Sequence, residues 1–130
     1  MMALDANMLA RLLLRDDAVQ HARVKALLQT EEVFTAPVTV LLELVWVLEA
    51  NDCTPAEIER GLQLLLGLRN FRPPQADAVR SALRAYATGV DFADALHLVL
   101  CAGDDAFMSF DKAFARKAAK LGLTPRVVSA

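Results

Sequence analysis

The chain has 130 residues, enough for one domain with a real core, and 55% of them are apolar. Its net charge of −2 and pI near 5.6 give no overall basic face of the kind nucleic-acid binders carry. Mean hydropathy is high, +0.33, yet no apolar run reaches membrane-spanning length without a charge, so no transmembrane helix is expected. The opening residues 1–7 lack a basic stretch before a long apolar core, so no signal peptide is expected and the protein reads as cytoplasmic. Cys53 and Cys101 have no CxxC spacing, which argues against a disulfide framework, and no His or Asn spacing supports a catalytic thiol. Cys101 reads as a small buried hydrophobe.

In chain order, short strand-like segments alternate with helical ones. Strands are expected at 2–5, 33–36, 70–73, 106–109 and 125–128. After the first come helices over 7–14 and 17–29, the second capped by Asp16 or Asp17. Residues 39–50 form a very apolar helix with Thr39 as its cap; Trp46 and the Leu-rich faces of 39–50 and 62–68 read most simply as core, with a dimer face or a groove for a partner helix as the alternative. Thr54-Pro55-Ala56-Glu57 carries an N-cap, a proline at N1 and a glutamate at N3, so a helix starts there and runs to about residue 68. Another helix covers 75–87. Asp91 starts the next, which ends near residue 102 with Gly103 beyond. The last helix spans 112–121 and stops at Gly122. This alternation predicts a single α/β domain with a mainly parallel sheet.

Four acids stand inside or at the ends of these apolar elements. Asp5 closes the first strand, Glu43 interrupts the apolar helix, Asp94 lies in Asp-Phe-Ala-Asp-Ala-Leu-His-Leu (91–98), and Asp111 ends Ala-Phe-Met-Ser-Phe-Asp (106–111). Ionised groups in such places are costly unless paired or metal-bound. Asp5 and Asp111 fall at the carboxyl ends of strands, where open α/β sheets bind ligands. Asp91 and Asp94 share a helix face at i and i+3. Two carboxylates about 4 Å apart repel by roughly 4 kcal/mol at an effective dielectric near 20. Gathered together, the four would make an oxygen-ligand site for a hard divalent cation. The structural alternatives are plain: Asp5 as a turn residue, Asp91 and Asp111 as N-caps, Asp94 as a helix-dipole partner. His97 reads as a packed, hydrogen-bonded side chain and His21 as a surface one.

Lys112, Arg116, Lys117 and Lys120 cluster on the last helix, as a solvated face or a patch for flanking phosphates. The chain resembles a PIN domain, specifically the toxin of bacterial and archaeal VapBC toxin–antitoxin pairs. The resemblance rests on residues 4–17 (Leu-Asp-Ala-Asn-Met-Leu-Ala-Arg-Leu-Leu-Leu-Arg-Asp-Asp), 36–44 (Ala-Pro-Val-Thr-Val-Leu-Leu-Glu-Leu), 91–98 and 109–115 (Ser-Phe-Asp-Lys-Ala-Phe-Ala), in the family's order and spacing. It implies a three-layer α/β fold, a five-stranded parallel sheet of order 3-2-1-4-5 flanked by helices. It implies a catalytic quartet of Asp5, Glu43, Asp94 and Asp111 that binds Mg²⁺ or Mn²⁺, with Asp91 as a further metal-site acid and Asn7 and Ser109 in support. Lys112 and Arg116 would hold substrate phosphates.

The activity implied is a metal-dependent endoribonuclease, the toxin of a type II toxin–antitoxin pair, in which metal-activated water hydrolyses RNA. Its expected partners are RNA, a cognate antitoxin and a second copy in a homodimer. Ala6 departs from the family, which commonly has Thr or Ser there. The alternatives are a catalytically degenerate domain that only binds a partner and a structure-specific DNA nuclease. A phosphoacceptor receiver domain is disfavoured, because Asp16-Asp17 follows a helix and no lysine ends the fifth strand.

Overall fold

The computed structural model describes residues 1–129. The elements follow in the order β1 (Met2–Ala3), α1 (Ala6–Leu14), α2 (Ala18–Leu28), β2 (Phe34–Thr35), α3 (Val38–Ala50), α4 (Pro55–Leu66), α5 (Ala76–Ala87), α6 (Phe92–Leu100), β3 (Phe107–Ser109), α7 (Lys112–Leu121) and β4 (Val127–Ser129). The fold is helix-rich, and its contacts divide it into two compact units, Met1–Ala76 and Asp77–Ala130.

In the first unit β1 pairs in parallel with β2, Met2 opposite Phe34 and Ala3 opposite Thr35. On its other side Phe34 forms a parallel bridge with Phe71, through Phe34 N–H to Asn70 O and Arg72 N–H to Phe34 O, both 2.7 Å. β2 therefore lies between β1 and the isolated bridge at Phe71, and the described strands form two sheets of two strands each. The Asn70 amide donates to the carbonyls of Leu28, Thr30 and Glu32, at 2.7, 3.2 and 3.2 Å, and so ties down the turn between α2 and β2.

The helices of this unit start where the sequence supplies caps. Asp17, not Asp16, caps α2, accepting from the N–H groups of Val19 and Gln20. Thr54 and Glu57 form a reciprocal capping box at α4, which holds the Glu57 carboxyl below its ordinary pKa. The expected Thr39 cap is corrected: α3 begins at Val38 behind Pro37, with no side-chain cap. Proline has already fixed its φ for the turn into the helix.

The core faces of α3 and α4 are Leu41, Leu44, Val45 and Leu48, and Ile58, Leu62, Leu65 and Leu66, all buried. Trp46 is a second correction. It is 54% exposed. It lies three residues from Glu43, so the two share the helix face turned from the core residues. Helical periodicity cannot assign a core face where nearly every residue is apolar.

In the second unit β3 and β4 pair in parallel, Phe107 opposite Val127 through Ser109 opposite Ser129. Val79, Ala82, Leu83, Tyr86, Phe92, Ala95, Leu96, Leu98, Phe114 and Ala118 form its buried side. Tyr86 meets Phe92 edge-on, as Phe107 meets Phe114. Gly122, at φ 66°, closes α7 in the left-handed conformation glycine tolerates. Helix α6 ends at Leu100, earlier than expected, with Cys101 only half-buried at its C-cap. No helix among the described residues is long and apolar enough to cross a membrane.

Candidate metal centre

In the second unit, three of the expected acids meet in one cleft. Asp91 is the N-cap of α6, and its Oδ2 accepts from the Asp94 N–H at 3.4 Å. Asp94 follows at N3 of the same helix. Asp111 is the N-cap of α7, and its Oδ1 accepts from the Phe114 N–H at 3.0 Å. Capping explains two of these acids: Asp91 and Asp111 each satisfy an orphan backbone N–H at a positive helix end, and Asp94 lies in the first turn of the same helix as Asp91. Ser109 adds a brace, its Oγ accepting from the Asp111 N–H at 3.0 Å.

The cleft encloses about 110 Å³ and is lined by Val90, Asp91, Asp94, Asp111, Ala113, Phe114 and Lys117. The Asp94 carboxyl is pushed above its ordinary pKa by burial first, then by the charges of Asp91 and Asp111, with His97 opposing. The sequence anticipates the acids but gives Lys117 no place of its own. Its Nζ donates to the Gly89 carbonyl at 2.9 Å, which fixes it on the wall of the acidic cleft. The signal was available: Ala113 and Lys117, four apart, share one side of α7, next to the side of buried Phe114.

Lys112 and Arg116, the expected phosphate contacts, are exposed on α7 and do not line the cleft. His97 is exposed, which corrects the expectation of a packed histidine.

In the first unit Asp5 caps α1, Oδ1 accepting from the Met8 N–H at 2.9 Å. It lines a cleft of about 190 Å³ with Asn7, Met8, Arg11, Gln20, Arg23 and Val24. Asn7 there accepts from Arg11 at 3.4 Å, and Arg11 Nη1 also holds both oxygens of Asp16 at 2.6 Å. The Arg11 Nε is buried without a partner. The sequence signal for Arg11 is its i+4 spacing from Asn7 on α1. His21, expected at the surface, is half-buried, its Nδ1 3.2 Å from the Arg11 carbonyl oxygen. Ala6 is buried.

Glu43 stands exposed on α3 and lines neither cleft. Asp5, Glu43 and Asp111 are exposed, so the cost of enclosing an ionised group in an apolar element does not arise for them. Asp94 is half-buried, and burial, ahead of the like charge around it, distinguishes it.

The donors fit a hard cation by chemistry, being carboxylate oxygens in excess of any positive group on the cleft wall except Lys117. They do not form a closed cage. Within each unit, and among the described residues, no three His, Cys, Asp or Glu side chains converge to hold an ion. An ion such as Mg²⁺, which keeps several waters and takes one or two carboxylates, needs no such cage. Cys53 offers no nucleophile, because burial, then Glu57 and Asp52, push its thiol pKa up.

The PIN domain family model matches residues 2–120, across both units. The chain belongs to the PIN domain family, whose members are generally nucleases. No curated protein matches it.

Proposed function

We propose that this PIN domain is a Mg²⁺- or Mn²⁺-dependent endoribonuclease, the toxin of a type II toxin–antitoxin pair. The observation that carries the nuclease chemistry is the meeting of Asp91, Asp94 and Asp111 in one cleft, where burial and then the two neighbouring charges raise the Asp94 carboxyl. Such crowding is relieved by a proton or by a cation, and at neutral pH a divalent cation is the stronger competitor.

A bound Mg²⁺ or Mn²⁺ supplies Lewis acidity, acidifies water and offsets charge developing on a phosphodiester. The residues proposed to hold it are Asp94 and Asp111, with Asp91 assisting. Asp111 spends one oxygen on the α7 cap, which leaves the other for a ligand, while Ser109 fixes its backbone. The family resemblance assigns the same work to Asp5 and Glu43, with Asn7 in support. Asp5 likewise spends one oxygen on a cap. Lys117 adds a fixed positive charge beside the acids, suited to a substrate phosphate. Lys112 and Arg116 serve phosphates farther along the strand.

The same reading includes the five-stranded order 3-2-1-4-5, a cytoplasmic location, a homodimer and a cognate antitoxin. Trp46 and Leu64, 54% and 70% exposed, support a protein partner.

The test is cleavage of total RNA by purified, antitoxin-free protein beside Asp94→Asn, each with Mg²⁺, Mn²⁺ or EDTA. Discrete fragments that need metal and vanish in the variant support the reading. Metal binding without cleavage of RNA redirects it to DNA, tested side by side. Neither metal binding nor cleavage leaves a domain that only binds its partner.

A further inference from the structure

The junction of β3 and α7 presents an aromatic ring that the core does not use. Phe110 is 85% exposed, the most exposed of the large apolar side chains, and Met108, two residues earlier, is 68% exposed. Asp111 follows Phe110 directly, so the ring stands one residue from the acidic cleft. Burying a phenylalanine side chain contributes about 1.5–3 kcal/mol, so leaving it in water forgoes that much unless a ligand covers it.

The helix that starts here has three sides. Phe114 and Ala118 are buried, and Ala113 and Lys117 line the acidic cleft. Lys112, Arg116 and Lys120 are all exposed, and their i, i+4, i+8 spacing sets them in one stripe beside the cleft side. A rise of 1.5 Å per residue separates successive members by about 6 Å, a spacing comparable with successive phosphates of an extended strand.

An aromatic platform followed by a regular cationic stripe is the arrangement that binds unpaired nucleic acid, bases on rings and phosphates on cations. A paired base hides both its faces in the helical stack and has none to offer. We propose that Phe110 is the base-stacking platform of a strand track along Lys112, Arg116 and Lys120. This rests on the nuclease reading and names the residues that position the strand. The track delivers the phosphate next to the stacked base to the cleft of Asp91, Asp94 and Asp111.

The experiment compares wild type, Phe110→Ala and Phe110→Trp, each also carrying Asp94→Asn so that bound RNA stays intact. The probe is a short single-stranded RNA with one 2-aminopurine, alongside the same sequence in a duplex. Expected are quenching of 2-aminopurine by the Phe110 and Trp forms and its loss in Phe110→Ala. Affinity for the single strand falls roughly 10- to 100-fold in Phe110→Ala, and the preference over duplex falls with it. Single-strand affinity, preference over duplex and quenching all unchanged in Phe110→Ala overturn the proposal. So does a change in sedimentation from dimer to monomer with strand affinity untouched, which makes the face a protein interface. Cleavage by the Asp94-bearing forms is scored separately. Metal-dependent cleavage with no role for Phe110 sinks the track alone, whereas no cleavage and no RNA binding sink the nuclease reading with it.

Discussion

The Asp94 backbone N–H donates to Asp91 Oδ2 at 3.4 Å, so the carboxylate that helps position Asp94 also repels its charge. Both effects follow from the N-cap and N3 positions of one helix. Converting Asp94 to Asn keeps the N–H donor and removes the repulsion. We expect Asp94→Asn to abolish metal-dependent cleavage while raising the metal-free Tm, measured by circular dichroism in EDTA. A variant that cleaves at the wild-type rate removes Asp94 from the chemistry.

The direction of the Asp94 shift sets a pH dependence. Its folded pKa lies above the unfolded one, so its ionised form is the less stable folded form. The stabilising contribution is fully present below the ordinary aspartate range and is lost as pH rises through the raised folded value. In EDTA, the stability gain of Asp94→Asn over wild type is therefore expected to grow across that window. Denaturant titrations at a series of pH values, compared between the two proteins, measure it. A gain that shrinks as pH rises contradicts the assigned cause.

Metal acts in the opposite sense, because it favours the ionised carboxylates. Mg²⁺ or Mn²⁺ at about ten times its dissociation constant is expected to add roughly 1.4 kcal/mol of stability. The increment shrinks on acidification, as protons compete for Asp94. Thermal melts with and without metal test this, and a Tm indifferent to both ions counts against the site.

The two faces of α3 are expected to answer differently. Leu44 is fully buried, and Leu44→Ala costs about 3 kcal/mol through lost burial and a cavity. Trp46 is exposed, so Trp46→Ala costs the monomer less than Leu44→Ala. If α3 carries a dimer contact, Trp46→Glu shifts sedimentation toward monomer without unfolding the chain. No change in either stability or assembly leaves Trp46 outside any interface.

Asp16 holds Arg11 through both carboxylate oxygens, and Arg11 in turn reaches Asn7 in the Asp5 cleft. Removing the carboxylate frees a half-buried guanidinium whose Nε already lacks a partner. Asp16→Ala is expected to cost about 1 kcal/mol, read by urea denaturation. A cost near zero makes the pair a surface contact of no consequence.

The residues by themselves determined the order of elements, most helix starts and the identity of the acids. Those features are local. A Thr-Pro-Ala-Glu start, an aspartate before a helix and a glycine after one act through neighbours within four residues, so composition and spacing suffice. Membership of the PIN family was legible for the same reason, since it rests on short segments in order.

The tertiary structure alone decided which face of α3 meets the core, because an all-apolar helix carries no periodic signal. It decided that Glu43 and Trp46 share the exposed side. It placed Lys117 rather than Lys112 or Arg116 on the cleft wall, a choice set by how α7 packs on Phe114 and Ala118. It also raised Asp94, through burial first and then through charges at the starts of two different helices. A pKa depends on distances between residues far apart in the chain, and only packing sets those distances.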